Sequence, residues 1–244
     1  MNQKVALSDK HLIIAVPTYD GKVPIQWVTE FFTLSRLALQ YGFKLTLSYQ
    51  ACGALITNNR NIAAAEFMGL EDATHMLFID SDILFKAIDV VKLLATMEVD
   101  GYDYEMIHVP YPLKKDEPEF HVDVGPEGLQ ETPHGLWRSY AAGCGFVMMK
   151  RSVIEKLIEA HPELFYFNRF LKKDMYAIFD QMVVPAQDPN EKPIYMGEDV
   201  AFFRRWKDIG GEMWCDPNVR LQHIGTKTYD ASLQDLVNGV EKEV

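Results

Sequence analysis

The sequence predicts an α/β protein with a Rossmann-like, mixed and mostly parallel sheet flanked by helices, in a single domain. Short apolar runs of strand character alternate with longer amphipathic runs through the first half of the chain, the order expected of βαβ units. The 244 residues, 48% hydrophobic and 24% charged, are ordinary for a globular chain and sufficient for a large core. No internal repeat or low-complexity tract interrupts the pattern.

Taken in order, LIIAVP (12–17) is a buried-strand run stopped by proline. In IQWVTEFFTLSRLALQYG, Trp27, Phe31, Leu34 and Ala38 share one helical face, and Gly42 ends the helix. FKLTLSY is a second strand. Asn58 or Asn59 is placed to cap a helix through RNIAAAEFMG, and HMLFID, AIDVVKLLATME and EMIHVP follow as strand, helix and strand. Residues 110–137, with five prolines, show no clear periodicity and read as a long connection or flap. AAGCGFVMMKRSVIEKLIEA is a strand with glycines near its start, then a helix. A second irregular stretch, 162–196, leads into GEDVAFFRRWKDIGG, an amphipathic helix with an acidic start; EMWCD and VRLQHIG close the core.

The net charge of −11 disfavours an electrostatic grip on nucleic acid or anionic surfaces, which depends on cations that neutralise phosphates. Cys52, Cys144 and Cys215 are far apart, odd in number and form no C-x-x-C pair, so they read as buried thiols rather than a disulfide framework or zinc site. The N-terminal MNQKVALSDKHLIIAVP lacks the apolar stretch of a signal peptide, and nothing approaches the roughly 20 apolar residues of a membrane span. The expectation is a soluble cytoplasmic protein.

Against this background LFIDSD (77–82) is anomalous, because it runs buried-strand hydrophobics directly into two carboxylates. Charge is costly at the buried end of a sheet unless a cation meets it. Asp80 and Asp82 fall at the carboxyl end of the third strand, where open α/β sheets bind ligands, and in extended backbone residues i and i+2 face the same side. Such hard oxygen ligands suit Mg²⁺ or Mn²⁺, which complete their shells with waters and substrate phosphates. Alone the pair is a weak signal: with Asp near ~6% of residues, a chain of this length holds on the order of one D-x-D by chance. Glu198 and Asp199 in MGEDVAFF, and His223 in LQHIGT, also border hydrophobic sequence. Favourable charge in a first helical turn accounts for the first two equally well, and an ordinary core or surface histidine for the third.

In order along the chain, these segments resemble the glycosyltransferases of the GT-A fold. IAVPTYDG is similar to their opening strand and donor loop, NNRNIAAAEF to the arginine-bearing helix start, FIDSD to the D-x-D motif, AGCGFVMMKRSVIEKL to the glycine-bearing strand and helix, GEDVAFFRRWKDIGG to the x-E-D motif and HIG to the metal histidine. The resemblance spans about 12–229, and the loops that would set the acceptor match no pattern. It implies a divalent-metal-dependent hexosyl- or pentosyltransferase moving sugar from a nucleotide-sugar donor, a UDP-sugar by family expectation, to a hydroxyl of a glycan or glycoside. Asp82 would ligate Mn²⁺ or Mg²⁺, Asp80 would hold it through water or contact the donor ribose, and His223 would add a ligand. Thr18 and Asp20 would bind the nucleoside, with Arg60 beside it or the diphosphate. Lys114 would meet phosphates or sugar, although for it and Lys115 a solvated loop is the simpler account. For inverting transfer Asp199 is the candidate base, with Glu198 second; retaining transfer would make Asp199 a positioning group. The expected division is a nucleotide-binding half at about 12–109, an acceptor half at about 110–230 and a tail at 231–244.

Other features have simpler readings. The aromatic-rich ELFYFNRFLKKDMYAIFD could be an acceptor platform, but such density is more often core, and Trp137 and Tyr140 share that ambiguity. Arg204, Arg205 and Lys207 read as a solvated helical face with ion pairs. Gly143 and Gly145 mark either close ligand approach or a bulge and tight packing. Three rival functions stand beside the main one. Transfer to a hydroxymethylated base of viral DNA would need a local basic groove and base extrusion. A nucleotidyltransferase would be expected to carry a glycine-rich loop where PTYDGK has one glycine. A non-catalytic sugar-nucleotide scaffold would keep the pocket without turnover.

Overall fold

The computed structural model describes residues 5–51, 53–186 and 192–238. Cys52, part of 162–196 and the end of the expected tail therefore lie outside the described residues. In chain order the elements are β1 (His11–Pro17), α1 (Ile25–Tyr41), β2 (Lys44–Gln50), α2 (Ile56–Gly69), β3 (His75–Ile79), β4 (Ile83–Leu84), α3 (Ala87–Met97) and β5 (Met106–His108). The second half holds β6 (Val122–Asp123), β7 (Trp137–Ser139), β8 (Ala141–Ala142), β9 (Phe146–Lys150), α4 (Arg151–Ala160), β10 (Phe165–Asn168) and β11 (Lys173–Tyr176). It continues through β12 (Met182–Val184), β13 (Ile194–Met196), α5 (Glu198–Asp208), β14 (Met213–Cys215), β15 (Leu221–Ile224), β16 (Thr228–Ala231) and α6 (Leu233–Val237).

The central sheet has seven strands in the order β2-β1-β3-β9-β5-β14-β7. Pairings β1 with β2, β1 with β3, and β5 with β14 are parallel, whereas β9 runs against both β3 and β5 and β7 against β14. Five strands therefore point one way. Strand β1 is buried throughout because both faces are covered. Its alternate residues feed two cores: Leu12, Ile14 and Val16 pack with Trp27, Leu34, Val90 and Leu94 of α1 and α3. Ile13 and Ala15 pack with Phe67, Ile154, Phe202 and Trp206 of α2, α4 and α5. Burying a side chain such as Leu34 contributes about 1.5–3 kcal/mol.

Helix α1 follows the sequence pattern: Trp27, Leu34 and Ala38 are buried and Phe31 packs beside them. Gly42 closes it in the left-handed region, φ 81°, donating its N–H to the Ala38 carbonyl. Helix α2 departs from expectation. It begins at Ile56 after Leu55, so neither Asn58 nor Asn59 caps it. Asn59 is buried and reaches back from inside the helix to donate Nδ2 to the Gly53 carbonyl at 3.4 Å. The stretch 162–196 is likewise more ordered than its sequence suggests, containing the antiparallel hairpins β10–β11 and β12–β13. The flap 110–137 is mostly irregular, pinned by isolated bridges between Pro112 and Phe120 and between Glu131 and Trp137. Among the described residues no helix is long and apolar enough to cross a membrane.

Candidate functional site

Strand β3 delivers Asp80 to the carboxyl edge of the sheet. The Asp80 N–H donates to the Gly145 carbonyl at 2.9 Å, tying the strand end to the approach of β9. The chain then turns rather than staying extended, with Ile83 N–H closing on the Asp80 carbonyl at 3.0 Å. Asp80 and Asp82 are thus neighbours through a turn and not, as the sequence predicts, through strand alternation, and they face different cations.

Asp80 faces Arg60, which α2 carries to the site almost completely buried, 2% exposed. The guanidinium Nη2 donates to both Asp80 carboxylate oxygens, at 3.0 and 3.2 Å, while Nη1 donates to the Cys144 carbonyl at 3.3 Å. Burial works against the guanidinium charge, but the carboxylates of Asp80 and, farther off, Glu198 hold its pKa above the ordinary value. Burial pushes the Asp80 carboxyl up and Arg60 opposes the rise. The Nε of Arg60 has no hydrogen-bond partner among the described residues.

Asp82 faces His223 and Lys114. Strand β15 runs antiparallel to β4 with His223 opposite Ile83, and Ile224 N–H donates to the Asp82 carbonyl at 2.8 Å. That register sets His223 Nε2 3.3 Å from Asp82 Oδ2, and Lys114 of the flap places Nζ 2.6 Å from the same oxygen. Partial burial would raise the Asp82 pKa, but His223 and Lys114 prevail and hold it at about 2. The other imidazole nitrogen, Nδ1, lies 2.9 Å from the Pro112 carbonyl. A carbonyl only accepts, so Nδ1 carries a proton, and Nε2 faces the Asp82 carboxylate.

Tyr111 joins these groups. Its ring meets His223 edge to face at 5.2 Å and lies over the chain at Gly143 and Gly145. A Cβ at Gly143 would fall 2.3 Å from the Tyr111 hydroxyl, and one at Gly145 2.6 Å from its ring. The two glycines therefore answer a protein side chain. Burial raises the Tyr111 pKa, and Asp80 adds to the rise. Tyr111 is the site residue that sequence reasoning missed; the glycine pair was its only trace.

Glu198 and Asp199 open α5 half-buried, close enough that both act on the field at Cys144, Glu198 also on Arg60 and Asp199 on Tyr111. Asp199 Oδ1 accepts from Val200 N–H at 2.8 Å. Thr18 is buried, and both its N–H and its hydroxyl donate to the Gln50 carbonyl, at 2.9 and 3.0 Å, securing the end of β1 to β2. Asp20 is exposed and pairs with Lys22 at 2.9 Å, and Lys115 pairs with Glu119. The basic cluster on α5 is not the uniformly solvated face predicted: Arg205 is buried because Nη1 donates to the carbonyls of Ile178, at 3.1 Å, and Asp180, at 2.7 Å. Arg204 does pair along the helix with Asp208, while Lys207 sits 4.3 Å over the Tyr140 ring. Trp137 is core, packed with Cys215 and Leu233.

Asp80 pairs with Arg60, whose charge Glu198 also supports, and Asp82 pairs with Lys114. Among the described residues no group of three or more His, Cys, Asp and Glu side chains is arranged to hold a metal ion. Asp80 stands with Arg60, so the converging donors are Asp82 Oδ2 and His223 Nε2. Their 3.3 Å separation is close to the spacing of adjacent ligands on an octahedral ion, about 3 Å for bonds of ~2.1 Å. The Nδ1 bond to a backbone carbonyl also matches the outer contact that orients ligating imidazoles. These two groups would hold such a cation in place of the Lys114 ammonium that meets the same Asp82 oxygen.

No protein-family model matches the sequence, and no curated protein matches it. Among solved structures the chain is similar to A197 from STIV, with 17% identity over 92% of this chain and 91% of that one and a TM-score of 0.54. It is also similar to GalNAc-T7 solved with UDP, GalNAc and Mn²⁺: 12% identity over 88% and 44% of the two chains, TM-score 0.49. A third is a Drosophila β1,4-galactosyltransferase 7 in complex with manganese, UDP-Gal and xylobiose, with 10% identity over 96% and 75% and a TM-score of 0.42. The likeness to A197 establishes a shared fold.

Proposed function

We propose that this chain is a GT-A-type glycosyltransferase using a nucleotide-sugar donor, a UDP-sugar by preference, and a divalent cation. The observation that carries the reading is the pair of Asp82 and His223, 3.3 Å apart at the carboxyl end of β3, beside the buried Arg60–Asp80 pair. Breaking the bond from an anomeric carbon to a diphosphate builds negative charge on the departing phosphates, so a site for this reaction needs fixed positive charge there. Lys114 supplies it from the flap, while Arg60, paired with Asp80, fixes that carboxylate beside the site. Mn²⁺ or Mg²⁺ bound by Asp82 and His223, with Asp80 through water, would act as a Lewis acid on the leaving diphosphate.

The remaining roles follow position. Residues about 12–109 form the donor side, where Thr18 and Asp20, just after β1, meet the nucleoside; Thr18 also ties that turn to β2 through its Gln50 contacts. Residues about 110–230 form the acceptor side. Asp199 takes the proton from the acceptor hydroxyl in an inverting transfer, with Glu198 as the second candidate, because a hydroxyl of very high pKa needs a carboxylate within hydrogen-bond reach. Thermal-shift measurements with UDP-, GDP-, ADP- and CMP-sugars, each with Mn²⁺ and with EDTA, test the reading, since a ligand of the native state raises its stability. Metal-dependent stabilisation by one nucleotide series is the expected result. A flat response across the panel would remove the donor site.

A further inference from the structure

The segment ELFYFNRFLKKDMYAIFD divides in the structure. Met175, Ile178 and Phe179 are core, whereas Phe165, Phe167, Phe170 and Leu171 face outward on the β10–β11 hairpin, which carries the alternation on one face and a loaded tip. Phe170 is 98% exposed, Phe167 54% and Leu171 43%. Water-facing phenyl and isobutyl groups at one turn are unusual on a soluble surface unless something covers them. The turn is also built firmly. Asn168 Oδ1 accepts from the N–H groups of Phe170, at 3.1 Å, and Leu171, at 3.0 Å. Lys172 holds φ +52°, the only positive φ of a non-glycine residue among the described residues. Arg169 and Lys172 stand at the turn without an ion pair among the described residues, on a protein whose net charge is −11; Lys173, opposite Asn168, lies on the other face of the hairpin in a groove with Glu66 and Leu70, and Asp174 is the cross-strand neighbour of Phe167.

We propose that this hairpin tip seats the protein on an anionic phospholipid surface, with Phe167, Phe170 and Leu171 entering the interface and Arg169 and Lys172 meeting lipid phosphates. Apolar side chains flanked by cations on an otherwise acidic molecule are the composition that interfacial binding requires. A nucleic acid would instead call for cations tracking along a face, while here they are confined to one turn led by a phenylalanine. A second copy of the chain would need about 800 Å² of matching surface per partner, far more than one turn offers.

The test is sedimentation of the full chain with vesicles of phosphatidylcholine alone and of equal parts phosphatidylcholine and phosphatidylglycerol. The variants are F170S/L171S and R169E/K172E, with circular dichroism to show that both fold. Expected is binding to the anionic vesicles, weak binding to the neutral ones, and a loss of about tenfold or more in each variant. The proposal is overturned by no binding to anionic vesicles, by wild-type binding of F170S/L171S, or by a dimer in solution that F170S/L171S dissociates. Tighter binding to single-stranded DNA than to the anionic vesicles, abolished by the same variants, overturns it as well.

Discussion

His223 turns Nε2 toward Asp82 Oδ2 at 3.3 Å while Nδ1 donates to the Pro112 carbonyl at 2.9 Å. One ring nitrogen is thus committed to the backbone of the flap while the other faces a carboxylate, the pair on which the proposed cation site rests. His223→Ala should weaken Mn²⁺ binding by about tenfold or more, measured by calorimetry on the nucleotide-free protein. Unchanged affinity would remove His223 from the cation site.

Lys114 competes for the same oxygen. Its ammonium lies 2.6 Å from Asp82 Oδ2, with both side chains about two-fifths exposed, so the pair is worth about 0.2–1 kcal/mol. Lys114→Ala should therefore tighten Mn²⁺ binding to the empty protein up to about fivefold while weakening the nucleotide-sugar. A variant that binds Mn²⁺ less well would show that Lys114 supports the cation rather than substituting for it.

Asp199→Asn keeps the size and removes the base. Donor affinity by calorimetry should stay near wild type, and the rate of sugar transfer should fall by about 10² or more. Transfer at the wild-type rate would exclude Asp199 as the base and leave Glu198.

The contact of Tyr111 with Gly143 gives a double-mutant test. Gly143→Ala should cost about 1–3 kcal/mol in denaturant unfolding, because its Cβ would meet the Tyr111 hydroxyl at 2.3 Å. In a Tyr111→Phe background, which lacks that oxygen, much of the cost should vanish. Equal costs in the two backgrounds would mean that the glycine is needed for something other than Tyr111.

His108 predicts the acid limb of stability. It is fully buried in β5, within reach of Ser139 at 3.0 Å, and burial lowers its pKa from 6.5 to about 3. The unfolded chain takes up a proton near pH 6.5 and the native one only near 3. Stability from neutral His108 is therefore complete above 6.5 and is lost as pH falls, at about 1.4 kcal/mol per unit through that window. Unfolding titrations should show a shallower acid slope in His108→Gln; an identical slope would place the proton uptake elsewhere.

Much of this architecture is legible in local sequence because burial imposes periods. LIIAVP reads as a fully covered strand, and Trp27, Leu34 and Ala38 mark one helical face, since both patterns are set by neighbours in the chain. The site is legible as residue types but not as pairings: Asp80, Arg60, Asp82 and His223 stand out in sequence, whereas Arg60 meeting Asp80 depends on where α2 lands against β3. Tyr111 and the burial of Arg205 were not legible, because their partners lie more than 20 positions away and no period records them. Asn58 and Asn59 carry a cap signal, but α2 has already begun at Ile56 and holds both inside its first turn.

Strand β9 reaches the middle of the sheet only after the long excursion that follows β5, and there it separates β3 from β5. Until it arrives, a chain emerging from the ribosome presents two unpaired strand edges at the place where Asp80 will sit, and edges of that kind invite pairing with other chains. Closing contacts so distant in sequence is also slow. Synthesis therefore passes through an interval in which β2, β1 and β3 can pair but the outer edge of β3 and the strand β5 stand uncovered, and a split of the gene after residue 109 should yield two insoluble fragments that recover only when expressed together.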